Sequence, residues 1–330
     1  MRATVWTGYG NHTGGQSVNI LEFSFNGVFP ICLTMMIGFC LCRCSVMEKG
    51  TAEKLNQLAY KILIPCNLFM NMYHADLSAV LDMQLALIAV LGTSGIILAM
   101  CMLAPHVTES GAQRGEFIQG IFRGNTAILG LPLITNLYGE RATAILAFPM
   151  SIMLIFYNIA APVILSFYAG SGKTSMKTIG RKVITNPFLI GTLLGLLFSL
   201  FHLHLPTALE KTISSIGATG STLALLALGA VTEFSEFRKS GKTSLLAACI
   251  RLIVVPAVIL GIGIALGIRD ERLAVLVCFF CTPTAVGSYV LAKNVTGDGK
   301  LARQILILST VFSMPTMFLT IMLLRALGVM

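Results

Sequence analysis

The stretch Arg123-Gly124-Asn125-Thr126-Ala127-Ile128-Leu129-Gly130-Leu131-Pro132-Leu133 decides how the chain is read. It lies inside an apolar segment, yet carries two glycines, a proline, an asparagine, a threonine and an arginine. A helix whose only task is to cross a bilayer avoids most of these. Gly weakens a helix interior, and Pro132 lacks the N–H that its turn would use. Hydrocarbon offers freed backbone groups no partner, so an interruption here has to face protein or a wet cavity. One reading is a ligand site made from an unwound helix near the bilayer midplane. The plainer one is a proline-kinked helix with small residues for packing.

Composition supports a membrane setting. Of 330 residues, 55% are hydrophobic and 11% charged, whereas soluble domains carry roughly 25% charged residues. A span needs about 20 apolar residues, and ten segments qualify: 22–42, 55–73, 83–103, 116–137, 142–168, 187–203, 207–231, 244–266, 273–293 and 301–324. Short polar loops separate them, so residues 1–330 read as a single all-α transmembrane domain. The net charge of +9 is read as topology and contact with anionic headgroups. No basic run is interleaved with aromatics as a nucleic-acid surface requires.

Of the 23 basic residues, fourteen lie in or beside the loops that follow odd-numbered spans, and six in the termini and remaining loops. The positive-inside rule then puts the odd loops in the cytoplasm and both termini outside, in a multi-pass protein of the cell membrane. The last three, Lys61, Arg123 and Arg251, fall within spans.

The chain also resembles itself. A shift of 158 positions lays Thr126-Ala127-Ile128 on Thr284-Ala285-Val286, Gly139-Glu140 on Gly297-Asp298, and Ser151 on Ser309. A shift of 157 lays Pro30 on Pro187, Glu53-Lys54 on Glu210-Lys211, and Asp76 on Glu233. The two repeats run from about 20 to 168 and about 184 to 328, with five spans each. An odd number of spans per repeat forces the second to insert upside down relative to the first. Span four is thereby paired with span nine, and span nine is interrupted too, at Cys281-Thr282-Pro283-Thr284-Ala285-Val286-Gly287-Ser288. Two interrupted helices at corresponding positions are the strongest sequence pointer to a transport site.

These residues carry a family resemblance. The stretch 123–133 is similar to the signature of the auxin efflux carrier family, and Thr282-Pro283-Thr284 with Ser288-Tyr289-Val290-Leu291-Ala292-Lys293 resembles that family's ninth span. Asn186-Pro187 with Gly191 and Gly195 resembles its sixth span, and Arg251-Leu252-Ile253-Val254-Val255-Pro256 its eighth. The similarity covers essentially the whole chain. It is of the prokaryotic type, related to plant PIN-type carriers and to the bile-acid sodium symporters. The resemblance implies a scaffold part, a mobile transport part and half-helices of spans four and nine that cross at the midplane. It also implies small organic anions as substrates: carboxylates such as malonate or malate, or auxin-like acids. Ser288 stands where the plant carriers often have proline, and no Asp or Glu lies between Phe279 and Lys293. The second departure weakens the alternative of a sodium-coupled symporter of the bile-acid type. A receptor that transports nothing is the other alternative.

A substrate carboxylate needs hydrogen-bond donors and positive potential, and half-helix N-termini supply both. The substrate-binding candidates are Arg123, Gly124, Asn125, Thr126, Thr282, Thr284 and Ser288, with Asn125 foremost. Gly130, Pro132, Pro283 and Gly287 are the expected helix-breaking residues. The hydroxyls have a second reading, that they satisfy backbone freed by the breaks. Arg251 and Lys61 are further candidates for substrate contact, set against snorkelling to a boundary.

No nucleophile–base pair or metal cluster is visible at depth, so no enzyme, cofactor or metal is expected. The expected partners are a small organic anion and membrane lipid. Proton or sodium coupling and a homodimer are left open, and nucleic acid is excluded.

Overall fold

The computed structural model describes residues 16–74, 81–170, 185, 187–232 and 241–330. Asp76, Glu233 and Asn186 of the sequence reading lie outside the described residues. The described chain is all-helical, and its one β-like feature is an isolated antiparallel bridge between Gly124 and Thr284.

Helix α1 spans Gln16–Arg43. Helix α2 (Lys49–Leu58) runs through a π-helical turn (Ala59–Leu63) into α3 (Ile64–Tyr73). Then come α4 (Met83–Val107), α5 (Gly111–Phe122), a second π-helical turn (Thr126–Gly130) and α6 (Leu131–Tyr168). Gly139, at φ 77° and ψ −165°, folds α6 into two arms. Helices α7 (Pro187–Leu200), α8 (Thr207–Ala218) and α9 (Gly220–Val231) follow. Helix α10 (Lys242–Cys249), a third π-helical turn (Ile250–Val254) and α11 (Val255–Ala265) form one rod. The chain closes with α12 (Asp270–Phe280), α13 (Val286–Thr296) and α14 (Lys300–Ala326).

Among the described residues, six helical stretches are long and apolar enough to cross a membrane: Ile20–Arg43, Met83–Val107, Thr126–Tyr168, Thr207–Val231, Lys242–Ala265 and Lys300–Ala326. Helices α5, α12 and α13 are not among them, with 12, 11 and 11 residues. At 1.5 Å per residue each is roughly 16–18 Å long, about half of a ~30 Å hydrocarbon core.

Each π-helical turn is followed, two residues on, by a proline: Pro65, Pro132 and Pro256. A proline ring clashes with the carbonyl four residues back and leaves it without a donor. Widening the preceding turn relieves both, so these helices bend around proline without parting.

Helices α1, α2, α3, α7, α8 and α9 pack as one group, with α1 against α9 and α3 against α7. Glycine makes these contacts backbone-to-backbone. A Cβ on Gly38 would lie 2.0 Å from the Leu226 carbonyl oxygen, and one on Gly229 1.9 Å from that of Met35. Across α3 and α7, Gly191 and Gly195 face the carbonyls of Pro65 and Phe69 in the same way, at 2.5 and 2.4 Å. The other group comprises α4, α5, α6 and α10 to α14, and the deepest core lies along α5, α6 and α12.

Polar contacts join several of the helices. Asp82 receives Arg272 at 2.6 Å, Arg141 lies 3.9 Å from Glu271, and His74 lies 3.3 Å from Glu210. The Asp270 amide donates to Val329 near the C-terminus at 3.0 Å. Within α5, buried Glu116 accepts from Thr296 Oγ1 at the end of α13 at 2.7 Å and from the Ala302 amide near the start of α14 at 3.0 Å.

Candidate functional site

Helix α5 stops at Phe122 and helical backbone resumes at Thr126. Helix α12 stops at Phe280 and α13 begins at Val286. The two interruptions lie side by side. The Asn125 amide donates to the Pro283 carbonyl at 2.8 Å, and the Ala285 amide donates to the Arg123 carbonyl at 2.9 Å, on either side of the Gly124–Thr284 bridge. Backbone freed from the helices is thus partly satisfied by backbone freed from the opposite break.

The break therefore falls earlier than the glycine–proline pattern implies. Gly130 lies inside the second π-helical turn and Pro132 is the second residue of α6, both in helical backbone. At that place proline costs little, because the widened turn before it makes room. Gly287 is likewise the second residue of α13, while Pro283 sits within the interruption itself. The residues that leave the helix in span four are Arg123, Gly124 and Asn125.

The hydroxyls of the breaks are committed to carbonyls. Thr126 Oγ1 donates to Cys278 at 3.2 Å, and Thr284 Oγ1 donates to Gly120 at 2.6 Å. These two bonds correspond under the 158-residue shift, which carries Thr126 onto Thr284 and Gly120 onto Cys278. Thr282 Oγ1 also donates to Cys278, at 2.9 Å, and the Thr284 amide donates to Ser309 Oγ at 3.1 Å.

Arg251 is fully buried, at 0% exposure, and reaches the paired interruptions from the third π-helical turn. Its Nε donates to Thr282 at 2.9 Å, Nη1 to Ile121 at 3.1 Å and Nη2 to Phe279 at 2.7 Å, each bond to a backbone carbonyl. Gly124 leaves the space for it, since a Cβ there would lie 2.2 Å from Nη2. Lys61, the other in-span candidate, is exposed on the first π-helical turn.

Several buried polar atoms at the crossing have no partner among the described residues. Asn125 Nδ2 is one, on a residue 4% exposed, and Ser288 Oγ is another, on a residue 1% exposed. Gln119 Oε1 is a third, while Tyr157 Oη has Thr93 Oγ1 and the Gly124 backbone as hydrogen-bonding neighbours. Gln119 gives its Nε2 to the Ser288 carbonyl at 3.4 Å, which places its orphaned oxygen beside α13. The Arg123 guanidinium is near Gly287, with Nη2 3.6 Å from where a Cβ would stand. Tyr60 and Tyr157 are its aromatic neighbours.

A buried donor left unpaired costs about 1–3 kcal/mol. Two such donors, Asn125 Nδ2 and Ser288 Oγ, lie beside the first turns of two helices whose amides carry positive potential. These atoms and the Arg123 guanidinium, which lies near Gly287, are all hydrogen-bond donors.

Sequence reasoning placed Asn125, Ser288 and Arg123 in this region. It missed Gln119, Thr93 and Tyr157, polar residues whose shared surroundings no spacing reveals. A surface depression of about 440 Å³ lies elsewhere, lined by Tyr138, Gly267, Arg269, Asp270, Glu271 and Arg272 at the helix ends. It is open to solvent, so charges there are screened.

Residues 23–321 match the family described as "Membrane transport protein". The chain is 24% identical over 290 residues to an "Uncharacterized transporter" of Methanothermobacter thermautotrophicus, covering 87% of this chain and 94% of that protein. It is 21% identical over 295 residues to another "Uncharacterized transporter", of Methanocaldococcus jannaschii, with the same coverage of 87% and 94%.

Proposed function

We propose that this chain, which belongs to the membrane transport protein (auxin efflux carrier) family, carries a small organic anion across the cell membrane by alternating access about the paired interruptions. The observation that carries the reading is the pair of buried, unpartnered donors, Asn125 Nδ2 and Ser288 Oγ, beside two helix starts and the Arg123 guanidinium. A carboxylate such as malonate or malate, or an auxin-like acid, supplies the acceptors and charge that this region lacks. Gly124 leaves room for Arg251, and Gly287 faces the Arg123 guanidinium. Thr126, Thr282 and Thr284 shape the region through their carbonyl bonds and keep lone pairs free.

The packing supports ten spans in two inverted repeats. The 157-residue shift carries Gly38 onto Gly195 and Phe69 onto Leu226. The close contact of Gly38 with Leu226 thereby has its counterpart in that of Gly195 with Phe69. The 158-residue shift relates Asn125 to Pro283, the two residues that hydrogen-bond across the breaks. In this reading the α1–α3 and α7–α9 group is the scaffold and the rest moves against it.

The test is uptake into proteoliposomes and a thermal-shift screen of mono- and dicarboxylates, each with sodium or choline. We expect stabilisation by a carboxylate through mass action, and uptake that survives replacement of sodium by choline. Strict sodium dependence would point to the symporter alternative, and binding with no flux to a receptor. Orientation is checked separately with single cysteines. One at Lys49 should label from the cytoplasm and one at Arg141 from outside, and the reverse pattern inverts the topology.

A further inference from the structure

We propose that the Arg251 guanidinium is the resident cation of the crossing, filling a cage of backbone carbonyls that would otherwise draw in a free cation. The cage is made by Ile121, Phe279 and Thr282, and the side chain within it is fully buried. Ile121 and Phe279 correspond under the 158-residue shift. A single group therefore takes the equivalent carbonyl from the end of α5 and from the end of α12.

Charge explains why a cation belongs there. The last carbonyls of a helix have no intrahelical donor, and a helix C-terminus carries roughly half a negative elementary charge. Two such ends meeting in a dry interior sum to about one negative charge, which one guanidinium offsets. The planar fork also suits the task, because its N–H groups diverge toward acceptors on separate strands. Among the described residues no carboxylate pairs with Arg251, and all three of its bonds at the crossing go to backbone. Lysine, a point charge, covers three divergent carbonyls less well.

The inference deepens the transport reading, on which its consequence for coupling rests. With the cage filled from within the chain, no sodium ion is needed to hold the two helix ends together. Arg251 is then a positioning residue: it fixes the ends of α5 and α12, and through them the neighbouring starts of the Asn125 and Ser288 segments. It does not touch substrate.

The experiment uses the purified full chain without substrate. Wild type, Arg251→Gly, Arg251→Lys and Arg251→Gln are melted in low-millimolar guanidinium chloride and in matched sodium and choline chloride. Arg251→Gly should melt below wild type and rise by about 2–4 °C as guanidinium occupies the vacated cage. Wild type should show no rise with guanidinium and no preference for sodium over choline. Arg251→Lys should melt above Arg251→Gln, because only the first keeps the charge. Equal melting of the Lys and Gln variants, a glycine variant indifferent to guanidinium, or wild type stabilised by sodium would each overturn the proposal. Where the glycine variant yields no folded protein, the Lys–Gln comparison and the wild-type sodium series still decide it. No substrate enters the melt, so failure here leaves the carboxylate reading standing, and failed carboxylate binding leaves this result intact.

Discussion

Two places in this molecule bring backbone against backbone, and they are built by opposite means. Where α1 meets α9 and α3 meets α7, glycines remove side chains and the helices stay whole. The helices there run on without the gaps seen at the breaks, so the contact is close and opens no stretch of non-helical backbone. Where α5 and α12 end, the helices open and their freed groups must be supplied from elsewhere. Arg251, Thr126, Thr284 and Ser309 supply most of them. Asn125 Nδ2 and Ser288 Oγ are left over. Opening helical backbone creates groups that need partners, and closeness alone creates none.

The largest expected effect breaks the closed contact. Gly38→Leu puts a Cβ 2.0 Å from the Leu226 carbonyl oxygen, and backbone on an intact helix cannot yield as a side-chain tip can. A loss of about 3 kcal/mol or more is expected, at the upper end for overpacking. It would be read as a fall in melting temperature and in monodisperse protein on gel filtration. Gly95→Ala, with nothing within 4 Å of the new Cβ, is the control and should melt like wild type.

A smaller effect, on binding alone, is expected at the open crossing. Asn125→Ala removes a donor whose Nδ2 has no protein partner, so stability should hardly change. A hydrogen bond to a charged group is worth about 1.5–3 kcal/mol, which predicts a tenfold to hundredfold weaker carboxylate affinity at about 1.4 kcal/mol per decade. Calorimetric titration of both proteins with the best carboxylate of the screen measures it. Wild-type affinity in the variant would remove Asn125 from the site.

The smallest effect concerns Pro132, which shapes the restart of the helix without leaving it. Pro132→Ala restores an amide donor after the second π-helical turn and lets that turn tighten toward α-helix. Melting temperature should stay level or rise by a degree or two, and transport should fall severalfold as Thr126 and Asn125 shift. Unchanged transport would show that the position of the break does not depend on the widened turn.

Much of this was legible in the residues. Apolar lengths place several of the helices closely, as at Met83–Val107 and Lys300–Ala326 against the predicted 83–103 and 301–324. The span predicted at 207–231 is found at Thr207–Val231, although split into two helices at Thr219. Glycine, proline and asparagine inside apolar segments mark both interruptions, because such residues are costly in a plain span. The helix-breaking role of Gly130 and Pro132 was misplaced. Proline forbids a hydrogen bond at its own position, but whether the helix parts or merely widens depends on what the neighbouring carbonyl meets.

By itself, then, the sequence determined that the chain is helical, lies in a membrane and belongs to a transporter family. These follow from local costs: hydrocarbon transfer per residue, missing amides and charge in loops. Only the tertiary structure decided which polar groups are used up and which remain. Arg251 sits 130 positions from Ile121 and 28 from Phe279, and nothing in its own segment states that both carbonyls await it. A side chain carries its donors in the sequence, but its acceptors are assigned by distances between residues far apart in the chain, and those distances exist only once the helices have packed.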